Sequence, residues 1–157
     1  MKKTIQVHTS KALKLTNVLV CKVEIGQIDN FPNIVLQLEN YIKSKGAMPL
    51  GPLIQKTSYS INEKGQVDVL LYLMRQANNF IHNIEAPYKM EPVIRVRNCM
   101  YAHYIGPEEK LKFAYDKINV TAFEEDIELA DENYTIFVDQ QDDDIIADIF
   151  VEKKSDD

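Results

Sequence analysis

Apolar positions in this 157-residue chain follow two spacings. Phe31, Ile34, Val35, Leu38, Tyr41 and Ile42 recur at helical intervals and make one continuous face. Asp29-Asn30 precede that face as a polar cap, and Pro32 falls in its first turn. Gly46 stops the helix just after Lys43 and Lys45, cations that suit its negative end. Before it, Val18 to Glu24 is β-rich and ends at Ile25-Gly26. After it, Pro52 to Ile61 and Gln66 to Arg75 read as strands joined by Asn62-Glu63-Lys64-Gly65, a hairpin. Val67, Val69, Leu71 and Leu73 alternate and mark the buried face of the second strand. The first half is therefore β-α-β-β.

Residues 77–92 hold two prolines and three asparagines, lack a clean period, and read as a connection with at most a short helical turn. The order then recurs. Val93 to Tyr104 is a strand ending in Ile105-Gly106, and Pro107-Glu108-Glu109 opens a second helix. Leu111, Ala114, Tyr115, Ile118, Ala122 and Phe123 supply its apolar face. Glu124 to Glu132 reads as an acidic loop. Tyr134 to Val138 and Ile145 to Glu152 are strands around a turn at Asp139 to Asp144, and Lys153 to Asp157 is a frayed tail. Two such units (about 16–76 and 93–152) predict a single α+β domain. Its two tandem β-α-β-β repeats are related by a pseudo-twofold, with two main helices on a curved antiparallel sheet. Each repeat alone leaves a sheet face uncovered, so a groove is expected where the halves meet.

Composition narrows the function classes. No apolar run approaches the roughly 20 residues of a membrane span, and no apolar segment follows Lys2-Lys3 as in a signal peptide. Cys21 and Cys99 lack a CxxC spacing and read as free thiols, which fits a cytoplasmic protein. Residues 1–115 carry 15 Lys/Arg against 9 Asp/Glu, whereas residues 116–157 carry 3 against 15. Phosphates would be repelled by that acidic end, so nucleic acid is not an expected partner; the acidic end suits a solubilising face or a cationic partner.

Met100-Tyr101-Ala102-His103-Tyr104-Ile105-Gly106-Pro107-Glu108, then Leu111 and Ala114-Tyr115, then Tyr134-Thr135-Ile136-Phe137 and an acidic hairpin carry a resemblance. The pattern resembles the gyrase-inhibitor-like family, also called the AraC-type effector-binding domain. The tandem order matches over nearly the whole chain, and the motifs lie within residues 100–150. The resemblance implies an aromatic groove between the halves that takes small organic molecules, often amphipathic cations. Some members follow a DNA-binding helix-turn-helix, and a few are hydrolases. Here too little chain precedes Val18 for such a motif, so a divergent stand-alone member is expected. Where the family usually has a groove Glu followed by Tyr, this chain has Thr135 and Phe137. Thr carries no charge and Phe no hydroxyl. Glu24, Asp68 and Glu132 are acids that could substitute.

The expected ligand-binding residues are Tyr101, Thr135, Phe137, Tyr72 and Tyr59. Tyr101 and His103 alternate along one strand and share a face, and Tyr104 takes the other. His8, His82 and His103 show no metal-ligand spacing, and Asp139 to Asp144 lacks the central Gly and closing Glu of a calcium loop. No dinucleotide, P-loop, serine-hydrolase or zinc-protease motif occurs, so neither a cofactor nor a metal is expected. The leading reading is a non-catalytic protein that binds a small effector by apolar burial and aromatic stacking. The alternative is an interaction or inhibitor module that meets a basic partner through its acidic residues 124–144. A small-molecule hydrolase ranks third, for want of the Glu.

Overall fold

The computed structural model describes residues 5–154. Six strands and two α-helices follow in the order β1 (Gln6–Val23), α1 (Phe31–Ser44), β2 (Pro49–Ile61), β3 (Val67–Ala77), β4 (Tyr88–Pro107), α2 (Lys112–Glu124), β5 (Leu129–Gln141) and β6 (Asp144–Lys153). Short 3₁₀ turns at Ile25–Asn30 and Glu108–Lys110 lead into the helices. The chain divides into two compact units, one being Lys14–Arg95 and the other joining the chain from Val96 onward to the residues before Lys14. In the Lys14–Arg95 unit, β3 pairs antiparallel with β1 and with β2. In the other, β6 pairs antiparallel with β4 and with β5. Each unit therefore runs β-α-β-β with its last strand in the middle.

α1 has the apolar face its spacing predicts. Ile34, Leu38 and Ile42 are buried, and Phe31, Val35 and Tyr41 pack against the same core with Leu19, Cys21 and Leu73 of the sheet. Burying such a side chain fully is worth about 1.5–3 kcal/mol, so this row accounts for the docking of the helix. Gly46 at φ +81° ends it. Its N–H donates to Lys43 O at 3.0 Å and Ala47 N–H reaches back to Ile42 O at 3.2 Å, which satisfies carbonyls the helix leaves open. The Asn30 side chain accepts from Asn33 Nδ2 at 2.7 Å and makes no cap bond to the backbone. Glu39 on α1 pairs with Arg75 on β3, adding an ionic link over the apolar row.

α2 docks on the second core through Ala114, Ile118 and Ala122, against Met100, Ala102 and Tyr104 of β4 and Ala147 and Ile149 of β6. Ile5 and Val7 also pack there, so the start of β1 is structural although its apolar signal is weak. The Gly106-Pro107 pair follows from sterics. A Cβ at Gly106 would lie 2.7 Å from Tyr104 Oη, whose hydroxyl donates to Pro107 O at 2.5 Å. The β2–β3 turn is the predicted one: Asn62 Oδ1 accepts from Lys64 N and Gln66 N, and Gly65 takes φ +77°.

Several expectations need correction. The first strand runs from Gln6, well ahead of the expected start at Val18, and β4 already begins at Tyr88, within the expected connection. The second α-helix begins at Lys112, since Glu108–Lys110 winds as 3₁₀. The expected acidic loop is strand over its second part: β5 begins at Leu129, and a register shift between Leu129 and Asn133 absorbs the polar run. The last hairpin turns at Asp142-Asp143 only, with Asp142 at φ +57°. Val67 is exposed because it sits at the hairpin tip, beyond the reach of α1. Phe123 is 84% exposed, one residue beyond Ala122 and so turned about 100° from the packed row. The expected tail begins only after β6 ends at Lys153, and residues 155–157 lie outside the described residues.

Leu38→Ala should destabilise the protein by about 2–5 kcal/mol in urea unfolding, because it opens a cavity under α1. Leu36→Ala, at an exposed position of the same helix, should stay within about 0.5 kcal/mol. Equal losses would contradict the assigned face.

Candidate functional site

Alternation along β4, β5 and β6 sorts their side chains onto two faces. The face toward α2 holds Met100, Ala102 and Tyr104 from β4, Ala147, Ile149 and Val151 from β6, and Phe137 from β5. Thr135 is on this face too, 1% exposed and hydrogen-bonded to the Tyr115 hydroxyl on α2. The opposite face carries two rows set by register. Tyr101, Phe150 and Tyr134 lie side by side across β4, β6 and β5, and His103, Asp148 and Ile136 form the next row.

Asp148 is the centre of that face. Its Oδ1 accepts the Tyr101 hydroxyl at 2.6 Å and meets His103 Nδ1 at 2.7 Å. The carboxylate therefore calls for the Nδ1–H tautomer, which leaves Nε2 on the outer edge of the ring. The Asp148 side chain remains 25% exposed, and that of His103 46%. The Tyr101 ring lies 5.0 Å from that of Phe150 and 5.8 Å from that of His8, centre to centre. Burial, reinforced by the hydrogen bond to Asp148 and its charge, raises the Tyr101 pKa well above the ordinary tyrosine value. At neutral pH its hydroxyl is a donor. An acid edged by aromatic rings can pair with a cationic group and cover the adjoining apolar surface.

The five expected residues do not share one surface. Tyr101 belongs to the Asp148 face, while Thr135 and Phe137 lie on the opposite, helix-facing side. Tyr72 and Tyr59 belong to the Lys14–Arg95 unit. Tyr72 is half-buried beneath the Lys56 ammonium, 5.5 Å from the ring centre, and Tyr59 is exposed near the β2–β3 tip on the other face. Tyr101 and His103 do share a side, as their alternation predicts, and both bond to Asp148. Asp148 itself was missing from the candidate acids. A charge inside the apolar run Ile145 to Val151 was the available signal.

A cavity of about 420 Å³ lies at the end of α1, lined by Lys45, Gly46, Phe80, His82 and neighbours. None of the five expected residues lines it. Among the described residues no group of three or more His, Cys, Asp or Glu side chains could hold a metal. Cys21 and Cys99 are buried free thiols, and burial followed by the charge of Glu152 pushes Cys99 up to about 11. No helix among the described residues is long and apolar enough to cross a membrane.

No protein-family model matches this sequence, and neither does any curated protein. Solved structures show the fold. An EcmrR chain, from a cryo-EM structure of an EcmrR–DNA complex, aligns with a TM-score of 0.68 and 16% identity over 96% of this chain. This chain spans 58% of that one. The structure of SAV2435 bound to tetraphenylphosphonium aligns with a TM-score of 0.53 and 13% identity, covering 98% of this chain and 95% of that one. A Staphylococcus aureus MU50 protein provisionally described as a bacterial transcription regulation protein gives 0.50 and 12%, covering 93% and 98%. The described fold is thus one found in a protein of a DNA complex, in a protein provisionally described as a transcription regulation protein, and in a ligand-bound protein. Because one neighbour is part of a DNA complex, the expected exclusion of nucleic acid gains no support from the fold.

Burial, then the charges of Glu132, Glu152 and Cys99, push the Tyr134 hydroxyl up to about 12, above the ordinary value of 10.0. A raised folded value means this contribution is intact below pH 10 and lost as the pH climbs from 10 toward 12. Tyr134→Phe should flatten the alkaline arm of stability against pH in that window, measured by urea unfolding. An arm as steep as that of the parent protein would contradict the assigned environment.

Proposed function

We propose that this chain is a non-catalytic effector-binding module of the gyrase-inhibitor-like kind, and that its ligand is a small organic cation with apolar bulk. The observation that carries the reading is Asp148, a half-buried carboxylate bonded to Tyr101 and His103 and flanked by aromatic rings. It supplies the negative charge that Thr135 cannot, from a different strand. Tyr101 and Phe150 would cover the apolar part of the ligand, and Asp148 would meet its charge. Thr135 and Phe137 would act through α2, since Thr135 already bonds Tyr115 and Phe137 packs in the same core. The fold likeness to SAV2435 bound to tetraphenylphosphonium supports the ligand class, and the shared β-α-β-β order of the units supports the family.

A hydrolase reading draws on the same carboxylate and hydroxyl. The raised Tyr101 pKa makes that hydroxyl a weak proton donor at neutral pH. Binding without turnover is therefore the expected behaviour.

Thermal unfolding with tetraphenylphosphonium and with a neutral aromatic of similar size tests the proposal. A ligand at 100 times its Kd stabilises by about 2.7 kcal/mol, which for a chain of this size is a Tm rise of about 5–10 °C. The cation should produce such a rise, and Asp148→Asn should remove most of it. A rise with the neutral compound alone, no rise with either, or an undiminished rise in Asp148→Asn would overturn the reading.

A further inference from the structure

The outer side of α2 is unusual for a surface helix. Phe113, Val120 and Phe123 recur at i, i+7 and i+10, so they share one side of the helix, and they are 49%, 55% and 84% exposed. Ala114, Ile118 and Ala122 already supply the row that docks α2 on the sheet, so this second apolar stripe is not needed for the fold. Single exposed apolar residues are ordinary, but three large ones on one side of one short helix, with the exposed Asp116 among them, are not.

Charge at the end of that stripe tells what would cover it. Phe123 is followed by Glu124, Glu125, Asp126 and Glu128, all exposed, and the last turn of α2 has no basic residue. Acids there oppose the negative end of the helix dipole, where cations would be favourable. Asp126 also occupies the left-handed position of the helix stop at φ +55°, where α1 uses Gly46. The fold therefore carries a local excess of negative charge beside exposed Phe123, while Lys117 and Lys112, whose ammonium lies 5.6 Å from the centre of the Phe113 ring, belong to the earlier turns.

We infer that the Phe113–Val120–Phe123 face of α2, with the acidic run that follows it, is a docking surface for a basic amphipathic helix of a partner protein. Apolar side chains of such a helix would cover the stripe, and its lysines or arginines would meet residues 124–128. The inference rests on α2 alone and is independent of whether the Asp148 face binds an effector.

The test uses the full chain and three synthetic 18-residue peptides, with binding followed by fluorescence anisotropy. One has leucines at helical spacing among lysines, the second has the same composition in scrambled order, and the third replaces lysine by glutamate. The first should bind most tightly and weaken as salt rises. Phe123→Ser should raise its Kd at least tenfold, and the combined change Glu124→Gln, Glu125→Gln, Asp126→Asn should remove most of the salt dependence. Leu36→Ser, at an exposed position on α1, should leave the Kd unchanged. All the changed side chains are exposed, and circular dichroism verifies that each variant is folded. Equal binding of the scrambled or acidic peptide, or indifference to Phe123→Ser, would overturn the inference. So would self-association of the parent chain that Phe123→Ser abolishes in sedimentation, because the stripe would then face a second copy.

Discussion

Everything in the second unit depends on one constraint: a strand presents alternate residues to opposite faces, and α2 claims one of them. Once Ala114, Ile118 and Ala122 are seated on Ala102, Ala147 and Ile149, the register of β4 against β6 leaves no freedom for the rest. Tyr101 and His103 must point away from the helix, and so must Asp148 and Phe150. Small side chains on the packed face let helix and sheet approach closely. Hydrogen-bonding groups gather on the other face, where Asp148 collects them. Placing the polar cluster there also spares the core an unpaired charge, whose burial would be costly.

The same constraint distributes the tyrosines by task. Tyr104 is turned to the core and reaches Pro107 with its hydroxyl, which is why Gly106 lies between them. Tyr115 ties α2 to β5 through Thr135. Tyr41 stacks on Tyr88 at 4.2 Å and accepts from Glu85 N, fastening the segment before β4 to the end of α1. Tyr101 meets the carboxylate. One residue type thus serves packing, docking and recognition, according to the face and strand that bear it.

The sequence made α1 easy to read, because six apolar residues at strict spacing, with Pro32 in the first turn and Gly46 after the last, leave few alternatives. The β-α-β-β order of both halves was legible for similar reasons. The strand ends were not. Residues 6–17 alternate, but Lys11 interrupts the apolar beat and Asn17 takes a positive φ, so half of β1 is hard to see in the sequence. Leu129 to Glu132 read as loop because acids disguise a strand that shifts register. Parity puts Tyr101 and His103 on one side of β4, and only the family resemblance singles out Tyr101. Asp148, a lone acid between Ala147 and Ile149, declares its importance only when β4 is laid beside it. Spacing alone puts Phe123 with the core face, because a single-residue rotation at a helix end is too small for periodicity to separate.

The central claim is that register joins Tyr101 and His103 through Asp148. A double-mutant cycle on stability, using Tyr101→Phe, Asp148→Asn and the pair together, measures that link directly. The account predicts a coupling of about 0.5–3 kcal/mol, as for residues in one hydrogen-bonded network. Losses that simply add, to within about 0.3 kcal/mol, would mean the two side chains are not bonded in the folded protein and would contradict it.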